Sequence, residues 1–159
     1  MTPAVLLLER QGVAFGLHEY DRGDELRDFG REAAEALGLA FDQVFKTLLV
    51  DTDGGDAPRD PVVVVVPVSC MVSMKLVAAA VGAKKAAMCD PAAAERITGY
   101  VVGGISPLGQ RKQLVTVLDE SVELFDTIYV SGGRRGLDIS LSPTDLADLA
   151  HATVAPITA

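Results

Sequence analysis

The stretch Ser131-Gly-Gly-Arg-Arg-Gly-Leu-Asp138 limits the fold more than any other part of the chain. It lies between two short apolar runs, Thr127 to Val130 and Leu137 to Leu141, and a link this short joins strands only as an antiparallel hairpin. A second hairpin is expected between Gln43–Val50 and the valine run Val62–Val66. The intervening residues 51–61 carry Gly54-Gly55, two prolines and four aspartates, the composition of an exposed loop. A doubly wound parallel sheet would need helical crossovers at these places. The chain therefore reads as a single α/β (α+β) domain over residues 1–159, with a mixed, largely antiparallel sheet surrounded by helices.

Helix boundaries are written in cap chemistry. Thr2-Pro3 opens a helix over 2–11 that stops before Gly12, Ser73 caps a short helix that stops at Gly82, and Asp90-Pro91 opens one that stops at Gly99. Ser142-Pro143 with Asp145 starts the last helix in a near capping box. A helix over 30–37 ends at Gly38 and follows a charged loop, Asp21 to Asp28. Further strands are expected at Val13–Tyr20 and Val115–Leu118.

A chain of 159 residues with 49% hydrophobic and 23% charged residues supports a proper core without staples. It has no apolar run long enough to span a membrane, and its first residues carry no basic leader, so a cytoplasmic protein is expected. Cys70 and Cys89 have no CxxC spacing, and His18 and His151 are isolated, which leaves neither a disulfide framework nor a metal site in view. No cofactor is implied. Neither histidine has an obvious Ser and Asp context, and no G-x-S-x-G elbow occurs. A net charge of −8 argues against broad binding to nucleic acid and leaves only local basic pairs, among them Arg111-Lys112 and Arg134-Arg135.

Two features point to chemistry. If 43–50 is a strand, Lys46 shares a face with Val44, Leu48 and Val50, so its ammonium either snorkels at the strand end or projects into a cleft that compensates its charge. The glycine loop Gly99-Tyr-Val-Val-Gly-Gly-Ile-Ser-Pro-Leu-Gly109, like Ser131–Asp138, is either a tight turn or a place where backbone approaches a ligand. It is neither a G-x-G-x-x-G fingerprint nor a Walker loop.

Met1-Thr-Pro-Ala-Val5, Val44-Phe-Lys-Thr-Leu-Leu-Val50, Gly82-Ala-Lys-Lys85, Thr98-Gly-Tyr-Val-Val-Gly-Gly-Ile-Ser-Pro-Leu-Gly-Gln110 and Ile128-Tyr-Val-Ser-Gly-Gly-Arg-Arg-Gly-Leu-Asp138 together closely resemble the YbaK/EbsC proteins. These are free-standing relatives of the editing domain inserted in bacterial prolyl-tRNA synthetases. The resemblance runs nearly end to end. It implies a partly barrel-like sheet and a trans-editing deacylase that removes cysteine mischarged onto tRNA(Pro), with cysteinyl-tRNA(Cys) a further substrate and prolyl-tRNA synthetase a partner.

By the same resemblance Lys46 is the essential residue and the Gly103 backbone lies at the reacting ester. Tyr20, Phe29, Thr47, Gly104, Ser131 and Asp138 line the pocket. Arg111, Lys112, Arg134 and Arg135 are the candidate tRNA contacts. The implied chemistry needs no enzyme nucleophile, because the substrate thiol attacks its own ester, with an effective molarity of order 10⁵–10⁸ M when held in place. Two other outcomes are an alanyl-tRNA(Pro) deacylase that uses water, and a non-catalytic module binding an aminoacyl-adenylate or tRNA end.

Overall fold

The computed structural model of the protein describes residues 1–21 and 29–159. Helix α1 (Pro3–Gln11) leads to strand β1 (Gly16–Glu19), helix α2 (Phe29–Leu37) and the hairpin of β2 (Phe45–Asp53) with β3 (Val62–Pro67). Then come α3 (Met74–Ala80), β4 (Lys85–Met88), α4 (Pro91–Thr98) and β5 (Thr116–Asp119). A 3₁₀ turn at Glu120–Leu124 precedes β6 (Ile128–Arg134), β7 (Leu137–Leu141), α5 (Pro143–Ala150) and β8 (Thr153–Ala155). Apart from Asp21, the charged loop expected over 21–28 lies outside the described residues.

The expected caps are in place. The side chains of Thr2, Ser73, Asp90 and Ser142 accept hydrogen bonds from the amides of Val5, Leu76, Ala93 and Asp145. Each satisfies one of the amides that a helix start leaves without a partner. Gly12 and Gly99 close α1 and α4 in the left-handed conformation, and His151, with φ 50°, does the same for α5.

The strands form two sheets. The order β1-β7-β6 makes an antiparallel sheet of three, and β4-β2-β3-β5-β8 makes a mixed sheet of five whose β3–β5 and β5–β8 pairs are parallel. Among the described residues the sheets meet at one bridge, Val44 to Tyr129, and do not close into a barrel. Strand β3 explains its own sequence. Val63 and Val65 enter the main core with Phe45, Leu118 and Ile139, whereas Val62, Val64 and Val66 pack on the other face with Val77 and Ile157. A strand buried on both faces needs an unbroken apolar run.

Three expectations change. Strand β2 runs on to Asp53, so the loop after it begins later than its composition suggested, at the Gly54-Gly55 turn. Strands β4 and β8 were not expected: β4 is an alanine-rich segment recruited by β2, and β8 is a three-residue edge beside β5. Among the described residues no helix is long and apolar enough to cross a membrane.

Candidate active site

Strand β2 forms the floor of a cavity of about 350 Å³. Residues 44–49 line it along their whole length. Phe29, Gly30 and Ala33 of α2 wall one side; Met88, Cys89, Pro91 and Ala94 wall the end near α4; Val102, Gly103 and Ile105 come from the first glycine loop, and Ser131 and Asp138 from the β6–β7 hairpin. Tyr20 completes the lining. The fold thus brings Tyr20, Phe29, Lys46, Thr47, Gly103, Ser131 and Asp138 around one space.

The alternation of β2 holds as the sequence implied. Phe45 and Leu49 face the main core, while Val44 packs with Ala34 and Val68, and Leu48 with Val50. Lys46 is on the second of these faces, half-buried and lining the cavity. Among the described residues its ammonium has no ion pair and no hydrogen bond. Gly30 makes room for it: a Cβ there would sit 2.4 Å from Val68 and 3.7 Å from the Lys46 Cβ, so only glycine lets α2 lie this close.

The first glycine loop is pinned from several directions. The Val102 amide donates to Glu95 Oε2 at 2.8 Å, and Arg135 Nε donates to the Val102 carbonyl at 2.8 Å. The Arg135 guanidinium also lies 4.6 Å above the Phe29 ring centre, a favourable cation–π contact. Gly103, at φ 88°, packs under that same ring. At the base, Thr2 Oγ1 donates to the Gly132 carbonyl and Gly109 is backed against the main chain of Pro3 and Ala4, so the start of α1 ties the two glycine loops together.

Gly103 and Gly104 differ in their contacts. The Gly104 amide is spent on the Val101 carbonyl at 2.9 Å, and its Cα faces the Arg134–Arg135 backbone with no room for a Cβ. Gly104 is a packing residue outside the cavity lining. The Gly103 amide has no acceptor among the described residues.

Asp138 is 5% exposed, opposite Ser131 in the β6–β7 register, with no hydrogen-bond partner for its carboxyl among the described residues. Burial pushes its pKa from 3.8 up to about 7. In the unfolded chain the group ionises near its ordinary value, so between that pH and about 7 only the folded protein keeps the proton. Stability then falls as pH rises through this window and levels off above about 7. Asp138→Asn removes this dependence. The stability difference between variant and wild type should grow by on the order of 4 kcal/mol from pH 4 to pH 8. Denaturant titrations across that range would show it, and parallel curves for the two proteins would refute it.

Other hydroxyls and the thiol are quiet. Ser131 Oγ accepts from the Gly133 amide at 3.2 Å, and Thr47 Oγ1 is buried without a partner among the described residues. Cys89 lines the cavity, but burial, and then Asp51, pushes its thiol up to about 11, far from a thiolate at neutral pH. His18 Nε2 lies 2.8 Å from Ser140 Oγ and its ring meets Tyr129 edge to face, although neither His18 nor Ser140 lines the cavity. The pair is 122 positions apart in sequence, and only strand pairing reveals it.

The four basic candidates divide. Arg135 touches the cavity wall through Phe29, and its neighbour Arg134 pairs with Glu19 at 3.0 Å. Arg111 folds back on Gly99 and donates to the Arg96 carbonyl, and Lys112 pairs with Asp60 at 2.8 Å; neither lines the cavity. Among the described residues no cluster of three or more His, Cys, Asp or Glu could hold a metal ion.

Comparison with known proteins gives a consistent picture. The aminoacyl-tRNA editing domain family matches residues 25–149. An Enterococcus faecalis protein provisionally named Cys-tRNA(Pro)/Cys-tRNA(Cys) deacylase EbsC is 34% identical over 99% of this chain and 93% of its own length. The uncharacterised protein YwhH of Bacillus subtilis is 27% identical over 77% of this chain and 75% of its own. Among solved structures, one provisionally described as a trans-editing enzyme for prolyl-tRNA synthetase superposes with a TM-score of 0.83 at 21% identity, covering 100% of this chain and 99% of that one, and supports the fold. From its sequence match and its architecture, this chain belongs to the aminoacyl-tRNA editing domain family.

Proposed function

We propose that the protein is a trans-editing deacylase that clears cysteine from mischarged tRNA(Pro). One observation carries the reading: a cavity able to orient an aminoacyl ester contains, among the described residues, no activated nucleophile. A substrate that brings its own nucleophile suits such a site. The cysteine thiol attacks the ester carbonyl, the carbon–sulfur bond forms as the bond to the ribose oxygen breaks, and the thiol proton ends on that oxygen. The products are tRNA and a cyclic thiolactone.

The protein then has only to hold and stabilise. Lys46 meets the ester, ribose or terminal phosphate, and the Gly103 amide steadies the developing oxyanion, a contribution of about 2.7–4 kcal/mol for a well-aimed donor. The buried Asp138 carboxyl faces the same space as a polar anchor for the amino acid. Selectivity follows from chemistry, since a pocket separates side chains differing by one small group by only about 1–3 kcal/mol, whereas alanine and serine lack the thiol altogether.

With a net charge of −8 the chain holds tRNA only locally, so Arg134 and Arg135 near the Phe29 wall meet the acceptor end and prolyl-tRNA synthetase supplies the rest of the affinity. The test is a deacylation panel with Cys-, Ala- and Ser-tRNA(Pro), S-methylcysteinyl-tRNA(Pro), and a variant reversing charge at Arg134 and Arg135. Rapid loss of cysteine alone, blocked by S-methylation and with KM raised in the charge-reversed variant, is the expected result. Loss of alanine or turnover of the methylated ester would overturn the thiol mechanism, and an unchanged KM would overturn the arginine assignment.

A further inference from the structure

Strand β2 has two partners on one edge, and they leave a gap between them. Its hydrogen bonding alternates: the Val68 amide donates to the Val44 carbonyl at 2.8 Å, so the even-numbered residues of β2 direct their main-chain groups to β3. The odd-numbered residues point the other way. At one end the Tyr129 amide of β6 donates to the Gln43 carbonyl at 3.1 Å; at the other the Cys89 amide beyond β4 donates to the Leu49 carbonyl at 3.0 Å. Strand β4 pairs only from Val50 onward, and β6 only at Val44.

Between those contacts the Phe45 carbonyl, the Thr47 amide and carbonyl, and the Leu49 amide have no main-chain partner among the described residues. All three residues line the cavity. Thr47 stands out, because its Oγ1 is also buried and unpaired, which leaves every hydrogen-bonding group it owns without a partner among the described residues. Buried main-chain groups are paired in the great majority of cases, and an open strand edge is a template for a further strand.

We infer that this open edge docks the main chain of the aminoacyl group, with Thr47 as its partner. An aminoacyl ester carries an ammonium donor and a carbonyl acceptor on either side of one Cα, the same pair that a strand residue presents. Opposite Thr47 it exchanges both bonds, ammonium to the Thr47 carbonyl and Thr47 amide to the ester carbonyl, as in a one-residue β-augmentation. Residues directly opposite in an antiparallel pair project to the same face. Thr47 shares its face with Phe45 and Leu49, which pack with Ala94, Ile105 and Cys89, so the substrate side chain enters that wall. Lys46, on the other face, is left for the ribose and phosphate.

The inference rests on the deacylase reading and is tested within it. Replacing the amide between Lys46 and Thr47 by an ester, through incorporation of the α-hydroxy analogue of threonine, removes the Thr47 N–H and weakens the Lys46 carbonyl, which faces β3; an ester at Asp51 weakens the β3-facing Val50 carbonyl in the same way. The expected result is a fall of about tenfold or more in kcat/KM for Cys-tRNA(Pro), set against the same replacement at Asp51, whose amide faces β4. Equal activity of the two esters overturns the inference. If the Thr47 ester does not fold, an ester at Leu48, which weakens the Thr47 carbonyl as an acceptor, should slow cysteinyl-tRNA but not 3-mercaptopropionyl-tRNA, which keeps the thiol and lacks the ammonium. Equal slowing of both overturns it as well. An unmodified protein that deacylates nothing would instead refute the deacylase reading itself.

Discussion

Lys46→Ala should reduce single-turnover deacylation of Cys-tRNA(Pro) by about a hundredfold or more while leaving the melting temperature close to that of the wild type. The two halves of this result have separate causes. The lysine is half-buried on the floor of the cavity, and among the described residues its ammonium makes no ion pair or hydrogen bond for truncation to break. What is lost is a cationic donor aimed at an anionic or polarised group of the substrate, and removing a positioned donor from a developing charge costs about 2.7–4 kcal/mol. Arginine should not restore activity, because its longer, planar fork places its donors elsewhere than the compact point charge of an ammonium. A Lys46→Ala protein that retained deacylation within a few-fold of the wild type would remove Lys46 from the mechanism.

Gly103→Ala should be nearly as damaging, for a different reason. At φ 88° an L-residue costs about 1–2 kcal/mol, and the added Cβ would fall 2.5 to 2.7 Å from three atoms of the Phe29 ring. That ring cannot yield freely, because Phe29 begins α2 and lies beneath the Arg135 guanidinium. Either the ring leaves the cavity wall or the loop moves, and with it the Gly103 amide. Deacylation should fall at least about tenfold, with a clear loss of stability. Gly12→Ala is the matched control: Gly12 is also left-handed, at φ 69°, but nothing lies within 4 Å of its Cβ position. That variant should lose stability by about 1 kcal/mol and keep full activity. If Gly103→Ala behaved like Gly12→Ala, the ring contact would be irrelevant to the site.

The two variants mark how far the chain could be read from its residues. Lys46 was visible because strand alternation is local: a charged residue between Val44 and Leu48 must either escape or be used. The caps at Thr2, Ser73, Asp90 and Ser142 were visible for the same reason, each being a side chain three residues from the amide it satisfies. Local pattern does not separate Gly103 from Gly104, and the resemblance placed both at the pocket; Gly104 left the lining only when the Val101 carbonyl took its amide. Cys89 entered the cavity because β4 pairs with β2, and β4 itself carries no strand signature in Lys85-Ala-Ala-Met88. The burial of Asp138, which moves its titration toward neutrality, depends on α2, β2 and the glycine loop all closing over one hairpin.

The sequence by itself determined where helices start and stop, which turns need glycine, and that a lysine shares a strand face with apolar side chains. Each follows from contacts within a few residues. Tertiary structure alone decided that β4 and β6 stop short of one another along β2, that Thr47 lines the cavity with its main chain unpartnered among the described residues, and that Phe29 closes over Gly103. Those outcomes depend on where segments distant in the chain come to rest against a shared core, and no local pattern of residues encodes that distance.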